Sequence, residues 1–563
     1  MSPTTTEEHP VLPDAALATF AAALQNAIAS RYPGAGSVDV AFEAPRRPEF
    51  GDFATNAAFA LTRIAKRSPQ DIATALVADV LSERGALREL FSEITPTAGF
   101  INLRLAPQIW QAVVAQILHD GPKFGEFPKR SQRISLEFGS ANPTGPLVVV
   151  QGRTCSLGAT LANALQYCGY DVFIEWIIND AGGQLDTLGR SLYARYRQHF
   201  DPSFPLPEDG YPGDYLVPIA EELVQRDGNR WVDADESDWL AYFSKFGRDT
   251  LVDRQMQTVE RFGVHYDLWQ SEKELHDTGR IRAGLQRLQA LDHTYESDGA
   301  LFFKATEYGD DKDRVLVRRD GRPTYFANDV AYHYEKLQRA DKVIDILGPD
   351  HHGYIGRLKG LAEALGYNRD HLEVMIAQQI TLMRGNEVVS MSKRAGHIVT
   401  LDDIIDEVGV DAARFFFIML APESPLTFDL ELAKEQSNEN PVYYVQYGHA
   451  RIASVFKNAD AGDIEAARGA ALDALTNPTE ITLARRLAEM PRIVQNVAEQ
   501  LAPHRLTRYA RDIASDFHQF YHECRVLVDD RDLRLARLGL CIATQTILAR
   551  VLDMMGVTAP ESM

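Results

Sequence analysis

Apolar residues along the chain fall into two repeating patterns. Leu17, Phe20, Leu24 and Ile28 recur at helical spacing behind Pro13-Asp14, predicting an amphipathic first helix. From about residue 130 short apolar runs alternate with helical periodicity. Ile134 to Phe138 reads as a strand, Leu157, Leu161, Leu165 and Cys168 as one face of a helix from 151 to 168, and Gly169 as its stop. Val172 to Ile178 is nearly all apolar, as expected of a parallel strand covered on both faces. Asn179 to Gln184 follows, then a helix carrying Leu185, Leu188, Leu192 and Tyr196. This is a βαβα unit of a doubly wound sheet.

Residues from about 200 to 295 break the alternation and read as a mostly helical insertion rich in Trp, Tyr and acidic residues. The sheet is expected to resume with Leu301 to Lys304, Val315 to Arg318, Val343 to Leu347 and Glu373 to Leu382. The last 125 or so residues carry long helical patterns with few Gly or Pro, consistent with an α-bundle. The fold class is therefore α/β: a Rossmann-like doubly wound parallel sheet with an N-terminal α/β domain, a helical insertion and a C-terminal helical bundle. Four domains are expected, at 1–125, 126–400, 401–435 (a connector) and 436–563.

At 563 residues several cores are needed. The four cysteines, Cys155, Cys168, Cys524 and Cys541, lie far from any CxxC spacing and read as reduced core thiols. With a polar start and no apolar run of membrane-spanning length, the expectation is a cytoplasmic protein without a secretory leader. The net charge of −21 argues against a nucleic-acid partner. Its distribution weakens that argument: from Asn440 onward fourteen basic residues face fifteen acidic ones, and thirteen of the fourteen are arginines. Arginine suits phosphate contacts and stacking on bases, although solvated helix faces would have the same composition.

Two segments carry candidate chemistry. Ser140 to Arg153, SANPTGPLVVVQGR, runs from the first strand into the first long helix, where backbone N–H groups can meet phosphates. Val389 to Gly396, VSMSKRAG, follows a strand and the turn Arg384-Gly385-Asn386, so Lys393 sits on a loop able to bring positive charge to a departing pyrophosphate. Tyr325 and Asp329 share a helix face at a spacing of four, which on its own reads equally as an ordinary solvated face. Asp350-His351-His352 follows the strand Val343 to Leu347, where open α/β sheets place ligands. Three adjacent side chains cannot easily converge on one ion, so no metal site is assigned.

These segments together resemble the class I arginyl-tRNA synthetases from about Pro48 to Met563. SANPTGPL is their first signature, which continues H-V-G-H-G-R; here Val148 and Gln151 stand in the histidine slots and Val150 in that of the glycine. MSKRA resembles the class I KMSKS loop, with Ser390 in place of its first lysine and Lys393 kept. The continuation GHIVTLDDIIDEVGVDAARFFF strengthens the match. PEFGDFATNAAFAL and GFINLRL resemble the family's N-terminal domain, and NPVYYVQYGHAR with the closing LDMMGV its anticodon-binding bundle.

The resemblance implies ATP with Mg²⁺ as substrate, no prosthetic group, L-arginine and tRNA(Arg) as partners, and a monomer. It assigns ATP to Val148, Val149, Val150, Gln151, Gly152, Ser390, Met391, Ser392, Lys393, Asp350 and His351. Arginine falls to Ser140, Asn142, Tyr325, Asp329, Asp350 and His351. Catalytic help falls to Lys393, Gln151, Arg153 and Arg394, and tRNA contacts to Asn56, Tyr447, His449, Arg451 and Arg534. Tyr443 and Tyr444 read equally as core. Losing two charge-stabilising histidines uncompensated would cost on the order of 10⁴-fold in rate. The alternative expectation is a synthetase-like protein that binds arginine or tRNA without efficient adenylation. An arginine ligase acting without tRNA is disfavoured by the terminal bundle.

Overall fold

Leu17, Phe20, Leu24 and Ile28 lie inside, on the buried stripe of a helix at Leu12–Arg31. The structure is a computed structural model and describes residues 12–36, 38–45, 47–82, 85, 87–389 and 399–563. In the N-terminal unit, strands β1 (Phe53–Thr55), β2 (Phe91–Thr97) and β3 (Phe100–Leu105) form an antiparallel sheet in the order β1-β3-β2. The first helix reaches it through an edge-to-face pair, Phe20 on Phe91 at 5.5 Å between ring centroids. At the Gly51-Asp52 turn the glycine has φ +103°, and a Cβ there would lie 2.5 Å from the Leu103 carbonyl oxygen. The Asp52 carboxylate accepts the Leu105 N–H at 2.8 Å and pairs with Arg485 of the C-terminal bundle at 3.0 Å.

The central sheet is built from β4 (Arg133–Phe138), β5 (Asp171–Ile178) and β6 (Leu268–Ser271). After the excursion β7 (Thr294–Ser297), β8 (Ala300–Phe303) and β9 (Arg314–Val317), it is completed by β10 (Lys342–Leu347) and β11 (Leu372–Ile376). Its order is β11-β10-β4-β5-β6, parallel throughout. The chain leaves β4 toward β5 on one side, whereas β10 lies on the other. The crevice at the C-terminal ends of β4 and β10 is therefore the topological switch point.

Three expectations need correcting. The insertion does not run unbroken to 295: its helices, Leu216–Asp227 and Glu236–Arg261, end before β6, which joins the parallel sheet through Trp176–Trp269 and neighbouring pairs. Stacked Trp176 and Trp269 rings, 4.7 Å apart, show that these apolar residues belong to the sheet's core. The segments 301–304 and 315–318 lie in β8 and β9 of a separate antiparallel sheet, β7-β8-β9. The run Glu373 to Leu382 is two strands, β11 and β12 (Ile380–Arg384). Between them Gln378 leaves the main sheet, donating its N–H to the Pro422 carbonyl at 2.9 Å. β12 pairs instead with β13 (Glu387–Val388) and β14 (Leu426–Asp429).

The bundle contains long helices at Pro441–Asn458, His504–Glu523 and Arg531–Met555. Against the sequence expectation, the last is long and apolar enough by composition to cross a membrane. Its apolar window is 72% buried inside the protein, which accounts for that composition as core packing.

Candidate active site

The turn after β4 is held from several sides. Gly139, at φ +79°, has no room for a Cβ, which would lie 2.7 Å from both Cys155 Sγ and the Trp176 ring. Ser140 Oγ donates to Glu137 Oε1 at 2.8 Å and accepts the Ile177 N–H at 3.0 Å. The insertion grips the turn from outside: Gln255 Nε2 donates to the Asn142 and Gly145 carbonyls at 3.0 and 2.8 Å, and Tyr215 donates to the Thr144 carbonyl at 2.6 Å. The Asn142 side chain stays exposed at the crevice.

The helix that follows, Val149–Tyr167, starts with Val148 as an extended N-cap. Valine offers no side-chain acceptor, and Gln151 compensates by accepting the Val148 N–H on Oε1 at 3.2 Å. That engages the amide oxygen of Gln151 and leaves its N–H pair as a donor on the first turn. Val150 faces β10 across the crevice: a Cβ on Gly348 would lie 3.8 Å from Val150 Cγ1. The valine methyls thus partly fill the cleft between the two strand ends.

Of the signature-helix residues assigned to ATP or catalysis, three are buried. Gly152 is buried, and a Cβ there would lie 2.7 Å from Leu401 Cδ1 and 2.8 Å from the Phe417 ring, so only a glycine packs at this place. Val149 is also buried, at 1% exposure. Arg153 is fully buried and donates to the carbonyls of Gln378, Ala421 and Ser424 at 2.8, 3.0 and 2.9 Å. Burial draws its pKa down to about 10, partly opposed by Glu423. Its guanidinium holds the bend between β11 and β12 and is not free for phosphates.

Asp350 and His351 stand exposed on the short 3-10 helix Pro349–Tyr354 at the end of β10. His351 N–H donates to the Gly348 carbonyl at 3.1 Å, and its ring lies 5.5 Å from that of Tyr354. Ser390, Met391, Ser392, Lys393 and Arg394 lie outside the described residues. Among the described residues no group of three or more His, Cys, Asp or Glu is arranged to hold a metal ion.

Tyr325 and Asp329 open the helix Tyr325–Arg339. Tyr325 is 62% exposed. Its hydroxyl lies over Gly182, 2.6 Å from where a Cβ would stand, and Gly182 has φ +93°. Asp329 is pushed up to about 7, first by burial and then by the Glu272 and Glu137 charges, with His333 and Arg357 pulling it down. In this acidic recess, a carboxyl whose proton is held up to about neutral pH can take a cation by releasing that proton.

Beneath this recess lies a buried charge network that the sequence reading missed. Lys336 Nζ, fully buried, contacts Glu137 Oε2 at 2.7 Å and also Asp345. Burial alone would lower the lysine pKa, but Asp345 and Glu137 outweigh it and raise it. His333 Nε2 lies 3.0 Å from Asp345 Oδ2, and its Nδ1 lies 2.8 Å from the Asp329 carbonyl oxygen. Glu175 is met by Ser135, Tyr332 and Arg339. The network joins the Ser140 turn to the Asp329 helix. The single signal available in sequence was charge inside otherwise apolar strands, Glu137 in β4 and Asp345 in β10.

The expected tRNA contacts divide. Asn56 is exposed. Tyr447 is half-buried with Tyr443 parallel to it, ring centroids 6.2 Å apart, and the Arg451 guanidinium lies over Tyr521 at 4.4 Å while donating to the Tyr447 hydroxyl. His449 is buried, with Nδ1 donating to the Pro560 carbonyl at 2.8 Å. Arg534 is taken up by Asp463 at 2.7 Å and by the carbonyls of Val528 and Asp529. These last two already have partners within the protein.

A parallel sheet with its switch point between a Gly/Pro signature turn and a second ligand turn, feeding a helical bundle, defines a class I aminoacyl-tRNA synthetase. Residues 113–417 match the family described as tRNA synthetases class I (R), catalytic domain. Residues 18–105 match the arginyl tRNA synthetase N terminal domain, and residues 445–563 the DALR anticodon binding domain. The chain is 44% identical to an arginine–tRNA ligase of Moorella thermoacetica, over 97% of this chain and 98% of that one. It is 42% identical to one of Staphylococcus epidermidis, over 93% and 95% respectively. A solved arginyl-tRNA synthetase from Campylobacter jejuni superposes with a TM-score of 0.75 at 30% identity, covering 82% of this chain and 100% of that one. One from Thermus thermophilus shares the fold, with a TM-score of 0.73 at 23% identity, covering 96% and 100%. The chain belongs to the arginyl-tRNA synthetase family.

Proposed function

We propose that the crevice binds L-arginine with its guanidinium in the recess of Asp329 and its carboxylate toward the signature helix, where ATP lies with Mg²⁺. The single observation behind this placement is the acidic recess itself. Asp329 lies close enough to Glu137 and Glu272 for their charges to raise its pKa, and Tyr325 stands one helical turn away. The reaction is activation of arginine to arginyl-adenylate: a carboxylate oxygen attacks the α-phosphorus and pyrophosphate leaves. A terminal ribose hydroxyl of tRNA(Arg) then attacks the arginyl carbonyl and AMP departs.

Within the signature helix, Gln151 donates to a phosphate oxygen as a neutral group, and the free N–H groups of the first turn add their partial charge. Lys393 and Arg394 supply the cationic part from the second signature, with Ser390, Met391 and Ser392 around the phosphates. Asp350, His351 and Val150 line the nucleoside side, while Ser140 and Asn142 take the amino end of arginine. Tyr447, Arg451 and Asn56 face tRNA. The protein works as a cytoplasmic monomer.

The replacements at Val148, Val150 and Gln151 favour one second reading, a protein that binds arginine and tRNA without adenylation. Charging of an arginine-accepting tRNA transcript with labelled arginine and ATP by the purified protein separates the two. Labelled tRNA is expected; arginine and tRNA binding without product would leave only the second reading.

A further inference from the structure

The signature turn contains two prolines, Pro143 and Pro146, so two of its peptide links carry no N–H. Hydrogen bonds can hold the Asn142–Pro143 and Gly145–Pro146 links through their carbonyls alone. One side chain holds both: Gln255 Nε2 donates to the Asn142 carbonyl at 3.0 Å and to the Gly145 carbonyl at 2.8 Å. Tyr215 adds a separate hold at the Thr144 carbonyl, on a link that keeps its N–H.

Asn142 is the residue whose direction this sets. Before it, Ala141 bridges Ile178 of β5 in parallel register; after it, the carbonyl is on Gln255. A residue has two soft dihedrals, so fixing the peptide planes on both sides fixes where its Cβ points. The Asn142 side chain is exposed at the crevice, and its aim comes from this backbone. Gln255 is itself firmly placed. It is 2% exposed, and its helix, Glu236–Arg261, is pinned on either side of it. Arg248 donates to Asp180 Oδ2 at 3.1 and 2.6 Å, and Thr258 Oγ1 donates to Asp402 Oδ2 at 2.6 Å. The amide oxygen of Gln255 is buried and has no donor among the described residues. An acceptor left open in the interior costs stability, which an apolar side chain of the same length would avoid. Packing alone does not call for a glutamine here; the two proline-linked carbonyls do.

We propose that Gln255 is a positioning residue for the amino end of the amino-acid substrate: through the two X–Pro carbonyls it sets the angle at which Asn142 enters the crevice. This rests on the assignment of Asn142 to the amino end of arginine. An ammonium needs its acceptor both near and in line. A link free to turn therefore loses recognition of that group. The guanidinium end is left untouched, because Tyr325 and Asp329 stand on another helix.

The experiment compares two ligands by calorimetry on the full-length protein: L-arginine and desamino-arginine, the same guanidino acid without its amino group. Wild type should bind arginine roughly 10- to 100-fold more tightly, the worth of a charged hydrogen bond. Asn142→Ala should lower that ratio toward one. Gln255→Met, equal in length and unable to donate, should bring it within about 3-fold of the Asn142→Ala value, with the Kd of desamino-arginine within about 2-fold of wild type. Adding Gln255→Met to Asn142→Ala should lower the ratio no further, because both act on one contact. Gln255→Glu keeps the shape without the amide donor and stands in if Gln255→Met fails to fold. A merely structural role predicts a lower unfolding temperature and an equal loss for both ligands. A ratio kept at wild type in the Gln255 variants, while Asn142→Ala still lowers it, overturns the proposal and leaves the amino-end assignment standing. A ratio indifferent to Asn142→Ala refutes that assignment, and the proposal with it.

Discussion

Lys336 sits 2.7 Å from Glu137 and in contact with Asp345, an ammonium closed off from water between carboxylates of two adjacent strands. The pair fixes the Tyr325–Arg339 helix to the C-terminal half of β4, so the arginine recess and the signature turn share one anchor. Removing the cation strands two buried negative charges. Lys336→Met is expected to cost about 3–5 kcal/mol of stability, read from urea unfolding followed by circular dichroism. A loss under ~1 kcal/mol would show that the carboxylates take up protons with little cost and that the network is not an anchor.

Asp329 gives arginine binding a pH dependence. With its pKa near 7 in the free pocket, the carboxyl must give up a proton to receive a guanidinium below that pH. Arginine affinity should therefore rise ~10-fold between pH 6 and pH 8 and level off above, measured by calorimetry in buffers of different ionisation heat. For the fold the sign is opposite. A carboxyl raised from 3.8 keeps its proton longer when folded, so its contribution is fully present below pH 4 and is lost as pH climbs toward 7. Asp329→Asn should abolish both trends and weaken arginine strongly; unchanged affinity would move the pocket elsewhere.

Arg153 is expected to behave as a structural residue. Arg153→Lys cannot reach three carbonyls with one ammonium and should cost about 2–4 kcal/mol. The KM values for ATP and arginine of the folded protein should stay at wild type. A collapse in the adenylation rate with no change in the unfolding curve would return this guanidinium to the chemistry.

Gln151 is expected to have two measurable effects. Gln151→Leu removes the cap on the Val148 N–H, costing about 1 kcal/mol. It also removes the neutral side-chain donor at the start of the signature helix, so single-turnover adenylate formation should slow by roughly 10²-fold. If the rate is unaffected, the helix-end N–H groups and the second-signature loop carry the phosphates without it.

Much of the fold was legible because strand and helix periodicities are local. The runs at Ile134 to Phe138 and Val172 to Ile178 needed only their own residues to be read. What stayed hidden depended on partners distant in sequence. Nothing near Leu268 says that it extends a sheet begun at Arg133, and nothing in Glu373 to Leu382 reveals the guanidinium that bends it. In the site, Asp329 could be located from its motif, but its acidic neighbours Glu137 and Glu272 come from other elements. His449 and Arg534 looked available for RNA because a sequence does not show the tail carbonyl of Pro560 over the first or the Asp463 carboxylate against the second.

The hold of Arg153 on the bend after β11 also bears on how such chains diverge. The arginine that closes the signature is held by folding through three carbonyls, whereas the slots before it hold only the local start of the helix. Selection can therefore erase the reactive letters of the motif and still preserve its outline. A chain of this kind stays recognisable as kin whether or not it has kept the kinship's chemistry.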